Sequence, residues 1–164
     1  MGGGLIGLAS AAALAERGVS VTLIRDHRRG EASPAAAGML APSVERASGP
    51  EHDFAVAARD RYPAYLAFLA DRTGIQVPLN RLGILQVALS AKGIKGLKKT
   101  ALSTALWLDA REVRELEPAL SHGIGAMFNP DDGAVDNTAL LSALETFASR
   151  SSTITMIDDA VVGV

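Results

Sequence analysis

Gly2, Gly4 and Gly7 stand at G-x-G-x-x-G spacing in the opening run MGGGLIGLASAAALAERGVSVTLIRD, with Gly3 between the first two. That pattern suits a pyrophosphate. The first glycine allows a tight turn, the second lets the backbone approach the phosphates, and the third lets the following helix lie close to its sheet. A helix that starts there turns its first amides and the positive end of its dipole toward the anion. Arg25 and Asp26 fall where such a unit meets the adenosine ribose, about 20 residues past the glycines, a place normally held by an acid. Either Asp26 takes that role after a one-residue shift, or Arg25 faces a 2′-phosphate, or the two form a solvated pair. A glycine-rich turn before a purely structural helix is the competing account of the glycines.

These residues need a turn, a helix and a strand to position them. The spacing predicts a helix over 5 to 17 that stops at Gly18 as its C′ residue, then a buried parallel strand over 19 to 24, "VSVTLI". A phosphate turn sits at the carboxyl end of a preceding strand, yet only Met1 precedes Gly2, so the recorded chain is expected to start inside its own motif. A secretory leader is disfavoured because residues 1 to 15 carry no side-chain charge. "GEASPAAAGMLAP", residues 30 to 42, follows with side chains short enough to admit a flat ligand. Ser33 there offers a hydroxyl to a phosphate or ribitol oxygen, and Met39 and Leu40 offer apolar lining. An alanine-rich helix start is the plain alternative.

A length of 164 residues with 48% apolar composition supports one ordinary domain's worth of core. The net charge of -2 gives no footprint for nucleic acid or an acidic membrane surface. Without cysteine there is no disulfide, thiolate nucleophile or cysteine-ligated metal, and a reducing cytoplasm is compatible with that. The three histidines are too scattered for a metal triad, and no G-x-S-x-G elbow occurs. No metal site is expected.

Residues 54 to 73 read as a helix with Tyr62, Tyr65, Leu66 and Leu69 on its core stripe and a kink or fresh start at Pro63. "GILQVALS" reads as a strand, and 92 to 99, "KGIKGLKK", as an exposed, weakly structured link. A short helix is expected near Asp109, with Glu112 in its first turns and Pro118 ending it. "GAMFNPDDGAVD" suggests two strand segments about an Asp-Gly turn at Asp132 and Gly133, in preference to a calcium loop. A helix over about 138 to 149 and a strand in "TITMIDDAVVGV" complete the order.

Taken together, "GGGLIGLASAAALAERG", "SPAAAGMLAP", "GILQVALS", "WLDAREVRELEPAL" and "PDDGAVDNTALLSAL" resemble the glycine oxidase branch of the D-amino-acid oxidase family of FAD flavoenzymes. The resemblance covers essentially the whole chain, and "AAAGML" followed by "DDGAVD" is more specific than the glycine turn. It implies FAD as cofactor. Gly2, Gly4 and Gly7, with Gly3, match the pyrophosphate glycines; Ser33, Ala37, Gly38, Met39 and Leu40 match a second flavin-contacting segment. It further implies that Met39 faces flavin and substrate, that Glu45 lies near the substrate entrance, and that the Val161 backbone meets the adenine end of FAD. Arg25 stands in place of the family's glutamate, which leaves Asp26 as substitute.

The expected fold is α/β: an incomplete Rossmann-like FAD-binding unit with part of a strand-rich α+β substrate domain. Residues 1–74 are expected to form the first part of the FAD-binding domain, 75–137 a partial substrate domain, and 138–164 the return of the FAD-binding domain. The implied parent activity is oxidative deamination of glycine, sarcosine or small D-amino acids, with oxygen as acceptor. A small amine and oxygen would be its partners, without nucleic acid or membrane, and self-association stays open. The alternatives are a nicotinamide-dependent dehydrogenase and a truncated flavoprotein without catalysis of its own, since the family's carboxylate-clamping residues would lie beyond Val164.

Overall fold

A computed structural model describes residues 2–26, 31–45 and 48–160. Their contacts divide the chain into two units, one drawn from 1–38, 62–79 and 135–164 and the other from 39–61 and 80–134.

In the first unit, helix α1 (Leu5–Ala15) leads to strand β1 (Val21–Arg25). The helix closes at Glu16, earlier than the sequence predicts. A turn over residues 16 to 18 follows, in which Gly18 donates to the Ala15 carbonyl and takes φ +74°, so glycine is needed one position later than a simple C′ cap. Helix α2 (Ala32–Ala35) is a single turn, the alanine-rich helix start weighed above.

Helix α6 (Asn137–Arg150) is capped by the Asp136 carboxylate, which accepts from the Ala139 amide at 2.9 Å, and it runs into strand β8 (Ile154–Asp158). Strands β1 and β8 pair in parallel from Val21 opposite Ile154 to Arg25 opposite Asp158. Burial along β1 falls on alternate residues, with Val21 and Leu23 inside and Thr22 exposed, so one face of this strand rather than both meets the core.

Helices α1 and α6 pack together. Ala11 and Ala12 are fully buried there and short enough to admit Leu140, Leu144 and Phe147 beside Leu8. The stretch 62–73 of helix α3 (Pro50–Thr73) adds Leu66 and Leu69, and Phe68 lies 5.6 Å from Phe147 between ring centres. Arg150 donates to the carbonyls of Arg72 and Thr73, which places a cation on the carbonyl end of α3.

Helix α3 begins at Pro50, four residues earlier than predicted, and continues as one element through Pro63. Proline at the first helical position has no amide to lose, which favours that start. Pro63 forgoes one helical bond on an exposed face, and the buried Leu66, Leu69 and Thr73 that follow it anchor the helix beyond it.

In the second unit, strands β4 (Ile84–Ala88), β5 (Leu106–Asp109) and β6 (Gly125–Asn129) form an antiparallel sheet in the order β4-β6-β5. Residues 92–99, expected to be a link, lie within helix α4 (Ala91–Thr100). Ser90 caps it by accepting from the Gly93 amide at 3.1 Å, Ile94 and Leu97 are half-buried, and the four lysines face outward, Lys98 over the Trp107 ring. A lysine-rich surface face hid a three-residue apolar period.

Helix α5 (Ala110–Leu116) starts as expected at Asp109, whose carboxylate accepts from the Arg111 and Glu112 amides while Glu112 reaches back to the Asp109 amide. Those backbone bonds hold the Asp109 carboxyl below its usual range. Strand β7 (Gly133–Val135) follows β6 but does not pair with it. It belongs to a second sheet in the order β2-β7-β3, with β2 (Met39–Leu40) and β3 (Leu79–Asn80). "PDDG" therefore carries the chain between sheets instead of closing a hairpin.

Candidate cofactor site

The glycine turn leaves no room for a side chain at Gly4 or Gly7. Gly4 is the N-cap of α1 in extended conformation and offers no side chain, and the first intrahelical bond is from Leu8 to the Gly4 carbonyl at 2.9 Å. The Leu5, Ile6 and Gly7 amides precede that bond and have no acceptor within the helix. One finds its partner in another segment, where the Ser33 hydroxyl accepts from the Leu5 amide at 3.0 Å. A Cβ on Gly4 would come 2.9 Å from the same hydroxyl, and one on Gly7 would overlap the Gly2 carbonyl oxygen. Gly4 and Gly7 hold turn, helix and Ser33 segment at distances that other residues would widen, while a Cβ on Gly2 would meet nothing within 4 Å.

Gly2, Gly3, Gly4, Arg25, Asp26 and Ser33 line one half-open cavity of about 370 Å³. The Ser33 segment is tied down behind it: Asn137 donates to the Ser33 carbonyl, and the Val135 amide donates to the Gly38 carbonyl at 2.9 Å. Gly38 takes φ +69°, and a Cβ there would collide with the Val135 carbonyl oxygen, so this position requires glycine. Ala37 is exposed beside it. The cradle suits a phosphate-bearing ligand: bare backbone and a hydroxyl line this hollow, and the first turn of α1 lines an adjoining open one with Gly2, Gly4 and Ser33.

Arg25 does not present a free cation to that hollow. Its Nε bonds Asp158 at 2.7 Å and its Nη1 bonds Glu145 at 3.0 Å, while its aliphatic stem covers Gly3. The 2′-phosphate reading thus loses its main attraction. Glu145 also lines the cavity, and the sequence reading passed over it. The available signal was Arg25 itself, a cation at a strand end in need of a carboxylate, but the partner lies 120 residues away.

The remaining residues singled out by sequence lie in the second unit or outside the described residues. Met39 and Leu40 form β2, paired with Ala134 and Gly133, with Met39 60% exposed and Leu40 half-buried. Glu45 lines a separate cavity of about 540 Å³ with Ser43, His52, Gln86 and Thr100. Val161 lies outside the described residues. Asp132, read from sequence as a turn former, is fully buried and ion-paired to Arg59 at 3.1 Å. Among the described residues, no helix is long and apolar enough to cross a membrane.

A glycine turn feeding a helix beside parallel strands defines a partial Rossmann-like unit, the class of α/β nucleotide-binding proteins. A model of the FAD dependent oxidoreductase family matches residues 1–164, and the chain belongs to that family. It is 36% identical over 147 residues to a glycine oxidase of Bacillus licheniformis, covering 87% of this chain and 40% of that protein. It is 38% identical over 152 residues to a bifunctional protein ThiO/ThiG of Synechocystis sp., covering 90% of this chain and 22% of that protein. The crystal structure of glycine oxidase from Geobacillus kaustophilus superimposes with a TM-score of 0.84 at 30% identity, over 96% of this chain and 45% of that one. The chain thus spans less than half the length of these relatives. The resemblance to the glycine oxidase branch stated from the sequence is borne out.

Proposed function

We propose that this chain supplies the phosphate cradle and part of the substrate side of an FAD-dependent amino acid oxidase that oxidatively deaminates glycine, sarcosine or small D-amino acids with oxygen as acceptor. The observation that carries the reading is the turn at Gly2–Gly4, where bare backbone and the Ser33 hydroxyl, itself bonded to the first amide of α1, line one hollow. Family membership supports FAD as the occupant.

In this reading Gly2, Gly3, Gly4 and Gly7 admit the pyrophosphate, and the α1 amides with Ser33 donate to it. Asp26 takes the ribose hydroxyls. Ala37, Gly38, Met39 and Leu40 face the flavin, Val161 meets its adenine end, and Glu45 stands on the substrate side. Residues 1–74 and 138–164 then belong to the FAD-binding domain and 75–137 to the substrate domain, in a cytoplasmic enzyme. Bound FAD supplies a two-electron acceptor for the amine α-carbon and passes the electrons to oxygen. The protein's part is to hold the cofactor, orient the amine and exclude water.

The test is to express the whole reading frame, denature the purified protein and identify the released chromophore, then follow oxygen consumption and peroxide with glycine, sarcosine and small D-amino acids. FAD release with amine-dependent peroxide is the expected result. Stoichiometric nicotinamide cofactor without flavin would overturn the reading.

A further inference from the structure

Asp132 is the one carboxylate with a fully buried side chain among the described residues. Its Oδ1 accepts from the Ser43 hydroxyl at 3.0 Å and from Arg59 Nη1 at 3.1 Å, while Arg59 Nε also bonds Asp60 at 2.9 Å. Asp132 Oδ2 is buried with no hydrogen-bond partner among the described residues. Burial alone would lower the Arg59 guanidinium, but its bonds to Asp60 and Asp132 outweigh that and hold it above its usual value. A buried ion pair of this kind is a poor source of net stability, because desolvation cancels most of the attraction. What it does supply is a fixed place for each group it binds.

The group it binds is a turn. The Val44 and Glu45 amides both donate to the Ala41 carbonyl, at 3.0 and 3.2 Å, so residues 41 to 45 fold back on themselves, and Ser43 is their side-chain tie to Asp132. Immediately before this turn, Met39 and Leu40 pair with Ala134 and Gly133, the residues that follow Asp132. One short stretch, 132 to 134, therefore grips the segment 39 to 45 twice, through the strand ladder at one end and the carboxylate at the other. Gly133 is fixed in turn, because a Cβ there would land on the Asn80 carbonyl oxygen.

We infer that Asp132, held by Arg59 and acting through Ser43, is a positioning residue that holds the segment Met39–Glu45 in place for flavin and amine. This rests on the functional reading above. The clamp touches no reacting atom in that reading; it sets where Met39 and Glu45 stand.

The experiment compares wild type, Ser43→Ala, Ser43→Thr and Asp132→Asn, each expressed from the whole reading frame. Ser43→Ala removes the tie and leaves the ion pair intact. It should weaken FAD binding about fivefold and alter the visible circular dichroism of the bound flavin, with little change in melting temperature. Ser43→Thr, which keeps the hydroxyl, should restore both readouts. In cofactor-free protein, hydrogen exchange at the Val44 and Glu45 amides should quicken by a similar factor of about five in Ser43→Ala, while the Val113 amide is unchanged. Asp132→Asn should move every readout further in the same direction, and if it fails to fold, the Ser43 pair decides alone. Wild-type affinity, dichroism and exchange in Ser43→Ala, or failure of threonine to restore them, would overturn the clamp. Wild type without FAD would instead overturn the functional reading, and the exchange measurement would still judge whether the tie holds the turn.

Discussion

Gly7 is the third residue of α1, and helix propensity alone says that alanine should stabilise it by about 1 kcal/mol. The packing says the opposite. A Cβ at Gly7 would overlap the Gly2 carbonyl oxygen, which is backbone and cannot rotate away as a side chain would. Either the turn must retreat or the helix must swing. Overpacking costs roughly 1 to 3 kcal/mol, and a clash with backbone stands at the upper end, so it exceeds the propensity gain and leaves a net loss of about 2 kcal/mol. Displacing Gly2 also displaces the amides that are proposed to receive the pyrophosphate, and a loss of 1.4 kcal/mol there would be about tenfold in FAD affinity.

The neighbouring glycines calibrate the argument. Gly4→Ala brings a Cβ 2.9 Å from the Ser33 hydroxyl, which can turn aside at the cost of its bond to the Leu5 amide, about 1 kcal/mol. Gly2→Ala meets nothing within 4 Å. In cofactor-free protein, thermal melts should therefore rank the damage Gly7 above Gly4 above Gly2, while flavin titration should show Gly7→Ala weakened by about tenfold or more. A Gly7→Ala protein that melts at or above wild type and binds FAD equally well would refute the reasoning, because propensity would then have won over contact.

Two more outcomes follow from particular side chains. Asp26→Ala should weaken FAD binding by roughly 1.5 to 3 kcal/mol, the worth of a charge-assisted bond, whereas Arg25→Ala, whose partners are partly exposed, should cost about 0 to 1 kcal/mol of stability and leave the preference for FAD over NADP unchanged; parallel titrations of both cofactors check this, and equal effects of the two substitutions would contradict it. Burial, with the nearby Tyr62 second, pushes the Tyr65 hydroxyl up to about 12 from its usual 10.0. Its folded value lies above its unfolded one, so its contribution is complete below pH 10 and is lost as pH rises from there toward about 12. That hydroxyl is also buried without a partner among the described residues, so Tyr65→Phe should melt no lower than wild type at neutral pH and fall less steeply across the alkaline window; a lower neutral melting temperature would show that the hydroxyl is bonded.

What could be read from sequence was whatever the backbone demands of a residue type locally. The glycine turn, helix α1, the Asp109 capping box and the stripe through Tyr62, Tyr65, Leu66 and Leu69 each follow from spacings within a few turns of chain. The resemblance then identified the family. What stayed hidden was set by partners far along the chain. The lysines of 92 to 99 masked a helix whose orientation is decided by which side of Ile94 and Leu97 finds cover. Asp132 and Gly133 read as turn chemistry, but the turn lies at Pro130 and Asp131, closed by the Asp132 amide on the Asn129 carbonyl, Gly133 opens β7, and the buried Asp132 carboxylate pairs with Arg59, 73 positions earlier. Arg25 shows the same limit at the candidate site itself. A cation in an acid's place invites a phosphate only while its charge is unclaimed. Asp158 and Glu145, 133 and 120 positions away, already bond it, so the charge presented to the hollow by the Arg25 group is largely neutralised. The physical content of a substitution at such a strand end lies in the new residue's partners as much as in its sign, and the Asp26 and Arg25 titrations separate the two.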